Sequence, residues 1–214
     1  MKVYFISGLG ADETAFSKLS LPGIEKVHLN WLVPEKKESI EAYAGRMAAR
    51  ITEPGPVIVG LSFGGMMAIE IAKLIPVKKL ILLSSAKHRK ELPSYFSVCR
   101  YIPLHRWLPL NKMASNRRIM NLVLGARTRE QRERLKKVID NTIEGFNEWA
   151  IDQVINWKNT EPPANASHIH GDADRLLPLR YVRADYIIKN GGHLMVVNQA
   201  KEVSALLQKL IPLY

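Results

Sequence analysis

The stretch PVIVGLSFGGMMAIEIA, residues 56–72, decides the fold of this chain. Its β-branched start is typical of a buried strand, and the apolar run after the glycines is typical of a helix. A strand that turns directly into a helix strains the residue at the turn, and the flanking Gly60 and Gly64 permit a close approach of the two elements. The pattern therefore predicts that the Ser62 hydroxyl is exposed at the carboxyl edge of a sheet, as a nucleophile would be.

A serine hydroxyl is a poor nucleophile at neutral pH, so this interpretation requires a base, a residue that orients the base, and donors for an oxyanion. His193 follows a short strand candidate and two glycines, which predicts that it lies at the same sheet edge as Ser62. Another strand candidate, residues 166–170, ends just before Asp172 and Asp174. An aspartate beyond a strand end can accept the imidazole proton and orient the ring. The residues themselves leave both aspartates open as this acid.

In these residues the chain resembles the α/β-hydrolase family, and the resemblance extends over most of its length. The family order of nucleophile, acid and histidine matches Ser62, Asp174 and His193. A family pattern at the acid, a glycine with an aspartate three positions later, matches Gly171 and Asp174. The resemblance therefore implies a catalytic triad of Ser62, Asp174 and His193, with Asp172 as the alternative acid.

The N-terminal strand candidate runs into Ser7-Gly8-Leu9-Gly10, which is similar to the first strand-to-helix loop of the family. Relatives commonly have His-Gly where this chain has Ser7-Gly8. By analogy, the backbone N–H groups of Leu9 and Phe63 would form the oxyanion hole, and their side chains would line the acyl pocket. The alternatives for the two glycines are an ordinary turn or a dinucleotide fingerprint, which lacks clear candidates for its third glycine and its ribose-binding acid.

Length and patterning favour one α/β domain. A chain of 214 residues with 47% hydrophobic residues can bury one core. Its short, continuous apolar runs are typical of parallel strands covered on both faces. We predict a doubly wound, mainly parallel sheet of about six strands, which is a minimal α/β-hydrolase core. The predicted strands lie at residues 2–7, 25–30, 56–61, 79–84, 166–170 and 185–189, and the predicted helices at 14–19, 39–52, 63–75 and 194–211.

Residues 86–163 are too long for a simple crossover, and they hold three of the four tryptophans. Many α/β-hydrolases insert a helical cap at this position, so the resemblance implies that this segment is a cap. The core would then comprise residues 1–85 and 164–214. A capping box predicts a helix from about Arg129, and apolar spacing predicts another over residues 143–157. On the second helix, Trp149 is a candidate for contact with substrate.

The basic charge is concentrated in the same region. Between Lys87 and Lys137, 14 basic and 3 acidic residues account for the whole formal net charge of +11. Such a field can attract an anionic substrate, an acyl carrier or an anionic membrane surface. The alternative is a solvated helical face without a partner. No recognition motif for nucleic acid accompanies the charge, so we expect no nucleic-acid partner.

Other features favour a soluble intracellular protein. The chain has no signal-peptide pattern, and no apolar run reaches the roughly 18 residues of a membrane span. The single cysteine, Cys99, fits a reducing cytoplasm. His168 and His170 alternate on a strand candidate, and such a pair without a third ligand is more often structural than metal-binding. We therefore predict a cytoplasmic protein with no metal or organic cofactor.

The predicted function is that of a serine hydrolase that cleaves a carboxylic ester or thioester of a small acyl substrate through an acyl-enzyme. In the same fold, carbon–carbon hydrolases, lactonases and acyltransferases can keep the same three residues, so the triad does not identify the substrate. A different class is a ligand receptor that keeps a hydrolase pocket and turns over slowly.

Overall fold

The computed structural model describes residues 1–96, 143 and 145–212. In these residues six strands form one sheet in the order β2-β1-β3-β4-β5-β6, and all neighbouring strands are parallel. The strands are β1 (Lys2–Ile6), β2 (Glu25–His28), β3 (Val57–Leu61), β4 (Lys79–Leu83), β5 (Ala166–Gly171) and β6 (Tyr186–Ile188). The predicted parallel sheet of six strands is confirmed, with strand ends within two residues of their predicted positions.

The helices of the described residues flank this sheet. They are α1 (Ile40–Ala48), α2 (Phe63–Ala72), α3 (Phe146–Asn156), α4 (Met195–Asn198) and α5 (Ala200–Leu210), with 3-10 turns at Glu13–Phe16, Arg89–Glu91 and Leu179–Tyr181. Ser39 begins α1 because its side chain accepts the Ala42 amide, at 3.2 Å. The helix predicted over 39–52 therefore starts as expected, but it ends earlier, at Ala48.

The single helix predicted over residues 194–211 is wrong, because the structure divides it into α4 and α5. Gln199 lies at the break, with φ of −130° and ψ of 40°, outside the helical region. Its side-chain amide donates to the carbonyl of Lys189 at 2.9 Å. The break thus ties the C-terminal helices to the loop that follows β6 and carries His193.

Apolar side chains cover both faces of the sheet, and successive residues of each strand alternate between the two layers. On β1, Tyr4 packs into the layer that contains α1 and α2. Its neighbours Val3 and Phe5 pack into the opposite layer, with Val203 and Leu207 of α5. Helices on both faces make the sheet doubly wound, so its carboxyl edge is where the loops with functional side chains meet.

The helix α3 belongs to the segment predicted as a cap, and it packs on the same apolar layer as α1 and α2. Phe146 and Ala150 are buried there. Just after α3, Trp157 donates its indole N–H to the Glu70 carboxylate, at 2.7 Å. The boundary between core and cap stays a prediction, and the helix predicted from Arg129 lies outside the described residues. In the described part of the chain, no helix has the length and apolarity needed to cross a bilayer.

Candidate active site

Ser62 occupies the turn between β3 and α2 in strained backbone geometry. Its φ of 53° and ψ of −120° lie in a region that residues other than glycine rarely adopt. Its amide donates to the carbonyl of Leu83 at 2.8 Å, and its own carbonyl accepts the Ser85 hydroxyl at 2.7 Å. Both partners belong to β4 or follow it, so the neighbouring strand holds the turn in place.

Two glycines permit this turn, because a side chain at either position would overlap with the backbone. A Cβ atom on Gly60 would lie 2.5 Å from the carbonyl oxygen of Gly64, and one on Gly64 would lie 2.2 Å from a carbonyl oxygen of the loop after β1. Gly8 differs, since the nearest atom to a Cβ there would be the Ser62 Cβ, at an ordinary 3.5 Å. The close approach of strand and helix therefore requires glycine at residues 60 and 64. Residue 8 lies next to the turn, but a side chain there would not overlap with it.

Three residues far apart in the sequence form one line of hydrogen bonds. The His193 Nε2 atom lies 2.9 Å from the Ser62 hydroxyl oxygen, and its Nδ1 atom lies 2.8 Å from Asp174 Oδ2. Because a carboxylate only accepts, Nδ1 carries the proton and Nε2 is free to accept the serine proton. The structure thus brings together the predicted nucleophile, base and acid in the order that proton transfer from the serine requires.

The loop after β5 places Asp174, and not Asp172, against His193. Asp174 is 3% exposed, and its Oδ1 atom accepts the backbone amides of Leu176 and Leu177, both at 2.9 Å. Asp172 is exposed to solvent. The carboxylate that the family pattern favours is therefore the one in contact with the imidazole.

The charge of Asp174 is set by opposing influences. Burial by itself raises the pKa of this carboxyl, but His193, the Leu177 amide and His170 together bring its pKa below the usual value. Asp174 is consequently ionised at neutral pH.

The two predicted oxyanion donors lie beside Ser62. Phe63 follows it directly and is the first residue of α2, where a backbone N–H has no acceptor within the helix and the helix dipole is positive. Leu9 follows Gly8, whose Cα atom faces the Ser62 side chain. The oxyanion hole formed by these two amides stays a prediction.

An aromatic cluster lies next to the turn that carries Ser62. Its five rings belong to Trp31, Tyr43, Phe63, Phe146 and Trp149. The predicted pocket residue Trp149 packs edge-on against Phe63, with ring centroids 6.0 Å apart. Trp149 is only half-buried, and Trp31 stacks on Phe63 at 5.4 Å. The cluster therefore forms a stiff apolar wall one residue away from the nucleophile candidate.

Sequence reasoning missed Trp31, although it follows the end of a predicted strand, where functional residues of parallel sheets collect. Its indole N–H donates to the Gly8 carbonyl at 3.1 Å, which ties the aromatic cluster to the loop after β1. Trp31 also lines a cavity of about 190 Å³, with Ile143 and Phe146 on its apolar side and Asp12 among its polar residues. This cavity adjoins the loop that contains the predicted oxyanion donor Leu9.

The sequence interpretation treats His168 and His170 as a structural pair, and the structure places both rings, fully buried, behind Asp174. In the part of the chain that the structure describes, no group of three or more potential ligands is arranged to hold a metal ion. The signal that could have drawn attention to the pair is its position on the strand that leads into the Asp174 loop.

Comparisons with known proteins agree with this architecture. Residues 8–206 match the model of the alpha/beta hydrolase family. A lipase-esterase related protein from Clostridium acetobutylicum is 18% identical, with a TM-score of 0.68 over 98% of this chain and 94% of that one. A thermophilic esterase from Thermogutta terrifontis is 16% identical, with a TM-score of 0.72 over 98% and 88%. A meta-cleavage product hydrolase from Pseudomonas fluorescens is 18% identical, with a TM-score of 0.64 over 98% and 90%.

At these identities the likeness to solved structures shows a shared fold alone. No curated protein sequence matches the chain significantly. The chemistry of the protein therefore depends on the side chains at the sheet edge and not on the fold.

Proposed function

Since the chain belongs to the alpha/beta hydrolase family, we propose that it is a serine hydrolase that cleaves a carboxylic ester or thioester through an acyl-enzyme. The observation that carries the proposal is the line of hydrogen bonds from the Ser62 hydroxyl through His193 to Asp174. A strained, half-exposed serine at a helix N-terminus, in contact with an unprotonated imidazole nitrogen, is the arrangement that activates a hydroxyl.

In the first half of the proposed reaction, the Ser62 oxygen attacks the carbonyl carbon of the substrate. His193 Nε2 takes the hydroxyl proton at the same time, and the carbonyl oxygen becomes an oxyanion. The ionised Asp174 stabilises the imidazolium that results. When the tetrahedral intermediate collapses, the bond to the leaving group breaks, and His193 returns the proton to the departing alcohol or thiol.

In the second half, water replaces the leaving group. His193 takes a proton from this water, whose oxygen attacks the acyl carbon, and the intermediate collapses with return of the proton to Ser62. The backbone N–H groups of Leu9 and Phe63 are the proposed donors to the oxyanion in both halves. Such donors are effective because they are fixed before charge develops on the oxygen.

The proposed substrate is a small acyl compound whose apolar part lies against Leu9, Phe63 and Trp149. The support is the aromatic cluster, which presents rigid apolar surface beside Ser62. We propose an anionic or carrier-linked leaving part on the strength of the basic segment from Lys87 to Lys137. Most of this segment lies outside the described residues, so the dependence of kcat/KM on salt tests this part of the proposal separately.

A fluorophosphonate probe tests the assignment of Ser62, because it reacts covalently with activated serines. We expect one equivalent to label the native protein and none to label Ser62→Ala. Ser17→Ala is a matched control, since Ser17 is exposed and is not part of the line of hydrogen bonds from Ser62 to Asp174, and its labelling should equal that of the native protein. On a panel of esters and thioesters of graded length, Ser62→Ala should lower kcat by roughly 10⁴-fold or more. Labelling of the alanine variant would assign the nucleophile to another residue.

A second candidate is hydrolysis of a carbon–carbon bond by the same three residues. The observation that favours it is the fold shared with a meta-cleavage product hydrolase. A meta-cleavage compound included in the substrate panel separates the two chemistries, since only a carbon–carbon hydrolase would prefer it over every ester. Binding and labelling without any turnover would instead indicate a receptor.

A further inference from the structure

Two buried histidines of β5 complete a closed circuit of polar contacts behind the candidate active site. His170 Nε2 lies 2.8 Å from the carbonyl oxygen of Leu177 and 3.5 Å from Asp174 Oδ2. His170 Nδ1 lies 3.2 Å from Nε2 of His168, and that atom lies 3.4 Å from the backbone nitrogen of Ser85. The Ser85 hydroxyl closes the circuit by donating to the Ser62 carbonyl. The circuit, called the polar ring below, consists of Ser62, His193, Asp174, His170, His168 and Ser85.

Both imidazoles of the pair are completely buried. Burial of polar rings costs free energy unless their nitrogen atoms are hydrogen-bonded, so two apolar side chains would fill this space at a lower cost. The pair instead contacts defined groups at both ends. His170 contacts the loop that contains Asp174, and His168 contacts Ser85, which holds the turn with Ser62.

The neighbouring acceptors fix where the protons lie when the pair is neutral. His170 Nε2 faces the Leu177 carbonyl and the Asp174 carboxylate, so it must carry a hydrogen. Its Nδ1 atom then accepts, and the hydrogen between the rings belongs to His168 Nε2. This leaves His168 Nδ1 with a free lone pair, and that atom is buried with no hydrogen-bond partner among the described residues.

A second arrangement appears when the pair gains one proton. The orphaned Nδ1 of His168 is the atom that takes it, and the hydrogen on His168 Nε2 moves across to Nδ1 of His170. His170 is then a cation, while His168 Nε2 accepts both from His170 and from the Ser85 amide, which in the neutral pair has no acceptor there. The same atoms thus support two discrete proton states.

We propose that His170 is a positioning residue for Asp174, and that it holds the acid in its working state only while the His168–His170 pair is neutral. The inference rests on the proposed function. Neutral His170 holds the Leu177 carbonyl, and Leu177 in turn donates its amide to Asp174 Oδ1. A cationic His170 would lie beside Oδ2 of Asp174, the same carboxylate oxygen that contacts Nδ1 of His193, and would compete for its negative charge.

The surroundings of His170 decide which state prevails at neutral pH. Burial lowers the pKa of His170, the carboxylates of Asp174 and Glu91 and the Leu177 carbonyl raise it, and His193 lowers it. The net effect is a pKa below the ordinary value of 6.5. His170 is therefore neutral at pH 7 and gains its proton only under acidic conditions.

His168 is held neutral more strongly. Burial is the largest cause, and the neighbouring His170 and the ammonium of Lys87 add to it, so the pKa of His168 is well below 6.5. Lys87 is itself paired with Asp185, whose carboxylate accepts the backbone amide of His168. Burial, together with the neighbouring ring and the Lys87 ammonium, thus keeps His168 neutral.

Nitrogen-15 spectra of histidine-labelled protein test the proton positions without any substrate. The chain has 6 histidines, so the signals can be assigned by single substitutions. At neutral pH we expect Nε2–H tautomers for His168 and His170, and hydrogen on Nδ1 of His193. An Nδ1–H tautomer of neutral His170, or a protonated pair at neutral pH, would overturn the inference even if the protein is an active hydrolase.

Two variants of His170 test the positioning role. His170→Gln keeps an N–H donor for the Leu177 carbonyl but cannot take a proton, whereas His170→Leu removes the donor. Ser204→Ala is the control, because this buried serine of α5 loses a hydrogen bond from the Ser20 amide, away from the polar ring. The readouts are the rate of fluorophosphonate labelling as a function of pH, and kcat and KM on the best ester.

We expect His170→Leu to lower the labelling rate and kcat by up to about 100-fold at an unchanged KM, because a shifted acid misplaces the base. His170→Gln should keep most of the rate. Under acidic conditions, a plot of the logarithm of the rate against pH should have a slope of about 1 for His170→Gln and about 2 for the native protein. The difference arises because the variant lacks the ionisation of the histidine pair.

If His170→Leu matches Ser204→Ala in rate and pH profile, the inference is wrong. Should His170→Leu fail to fold, equal slopes for His170→Gln and the native protein would reject it in the same way. A native protein that is not labelled at all contradicts the proposed function, and the nitrogen-15 spectra then still decide whether the polar ring has the inferred proton positions.

Discussion

Asp174 faces His193 through Oδ2, 2.8 Å from Nδ1, while its Oδ1 accepts the backbone amides of Leu176 and Leu177. The carboxylate is therefore held by its own loop and cannot turn when the imidazole changes its charge. A fixed acceptor at Nδ1 selects the tautomer whose Nε2 is free, and this is the nitrogen in contact with the Ser62 hydroxyl.

Exchange of Asp174 for asparagine tests this relationship directly. We expect Asp174→Asn to lower kcat by roughly 10⁴-fold, because an amide nitrogen opposite Nδ1 favours the wrong imidazole tautomer. The matched control is Asp172→Asn, two residues away and exposed, which should retain most of the activity. Steady-state kinetics on one ester suffice, and the opposite ranking of the two variants would show that the acid is misassigned.

The close packing at the nucleophile turn predicts opposite effects for two glycine-to-alanine exchanges. Gly64→Ala would place a Cβ atom 2.2 Å from a backbone oxygen, and we expect it to lower the free energy of unfolding by more than about 4 kcal/mol. Gly45→Ala, in the middle of α1 and exposed, meets only Leu74 at 4.0 Å. It should raise stability by about 0.5–1 kcal/mol. Urea unfolding measures both changes, and equal stabilities would contradict the described turn.

The lowered pKa values of His170 and His168 make stability depend on pH. Burial lowers the pKa of His170. Burial, His170 and Lys87 together lower the pKa of His168. As the pH falls through about 6.5, the unfolded chain binds protons at these rings and the folded chain does not. The unfolded state then binds more protons, so the free energy of unfolding decreases on acidification. We expect a lower urea midpoint at about pH 5.5 than at about pH 7.5.

His168→Gln supplies the comparison, since it removes one of the two rings and should reduce the difference between the two midpoints. A midpoint that is unchanged or higher at the acidic pH would mean that the pair is already protonated in the folded protein.

The basic segment predicts how the rate depends on salt. If the charge between Lys87 and Lys137 attracts an anionic substrate, kcat/KM should fall as the Debye length shrinks from about 30 Å at 0.01 M to about 10 Å at 0.1 M salt. A neutral ester of the same acyl group should respond little. Replacement of Arg129, Arg132 and Lys136 by glutamine should reduce the dependence on salt, and identical responses of both substrates would exclude a role of this charge in binding.

The sequence was sufficient to predict the six strands, and the central strands β3 and β4 are the short apolar runs that buried parallel strands show. It also located Ser62 and His193 by the glycines beside them. The choice between Asp172 and Asp174 was different, since it depends on how two loops cross. These loops approach closely, since a Cβ atom on Gly171 would lie 2.1 Å from the carbonyl oxygen of Gly191, and local sequence spacing does not report such a contact.

The polar ring and the break at Gln199 were not predictable for a similar reason. Both depend on partners distant in the sequence, such as the Ser85 hydroxyl that contacts Ser62, or the Lys189 carbonyl that contacts Gln199. Local spacing reports which residues share a face, but it contains no information about which loops meet at the edge of the sheet.

The sheet order has a consequence for how the protein acquires reactivity. The turn with Ser62 forms between central strands, whereas His193 follows β6, the short edge strand, which pairs with β5. A chain in which this last strand has not docked would already contain the strained serine, but without its base. Covalent labelling of Ser62 would therefore report the fraction of fully folded chains and not the total protein. It would serve as an assay for the docking of β6.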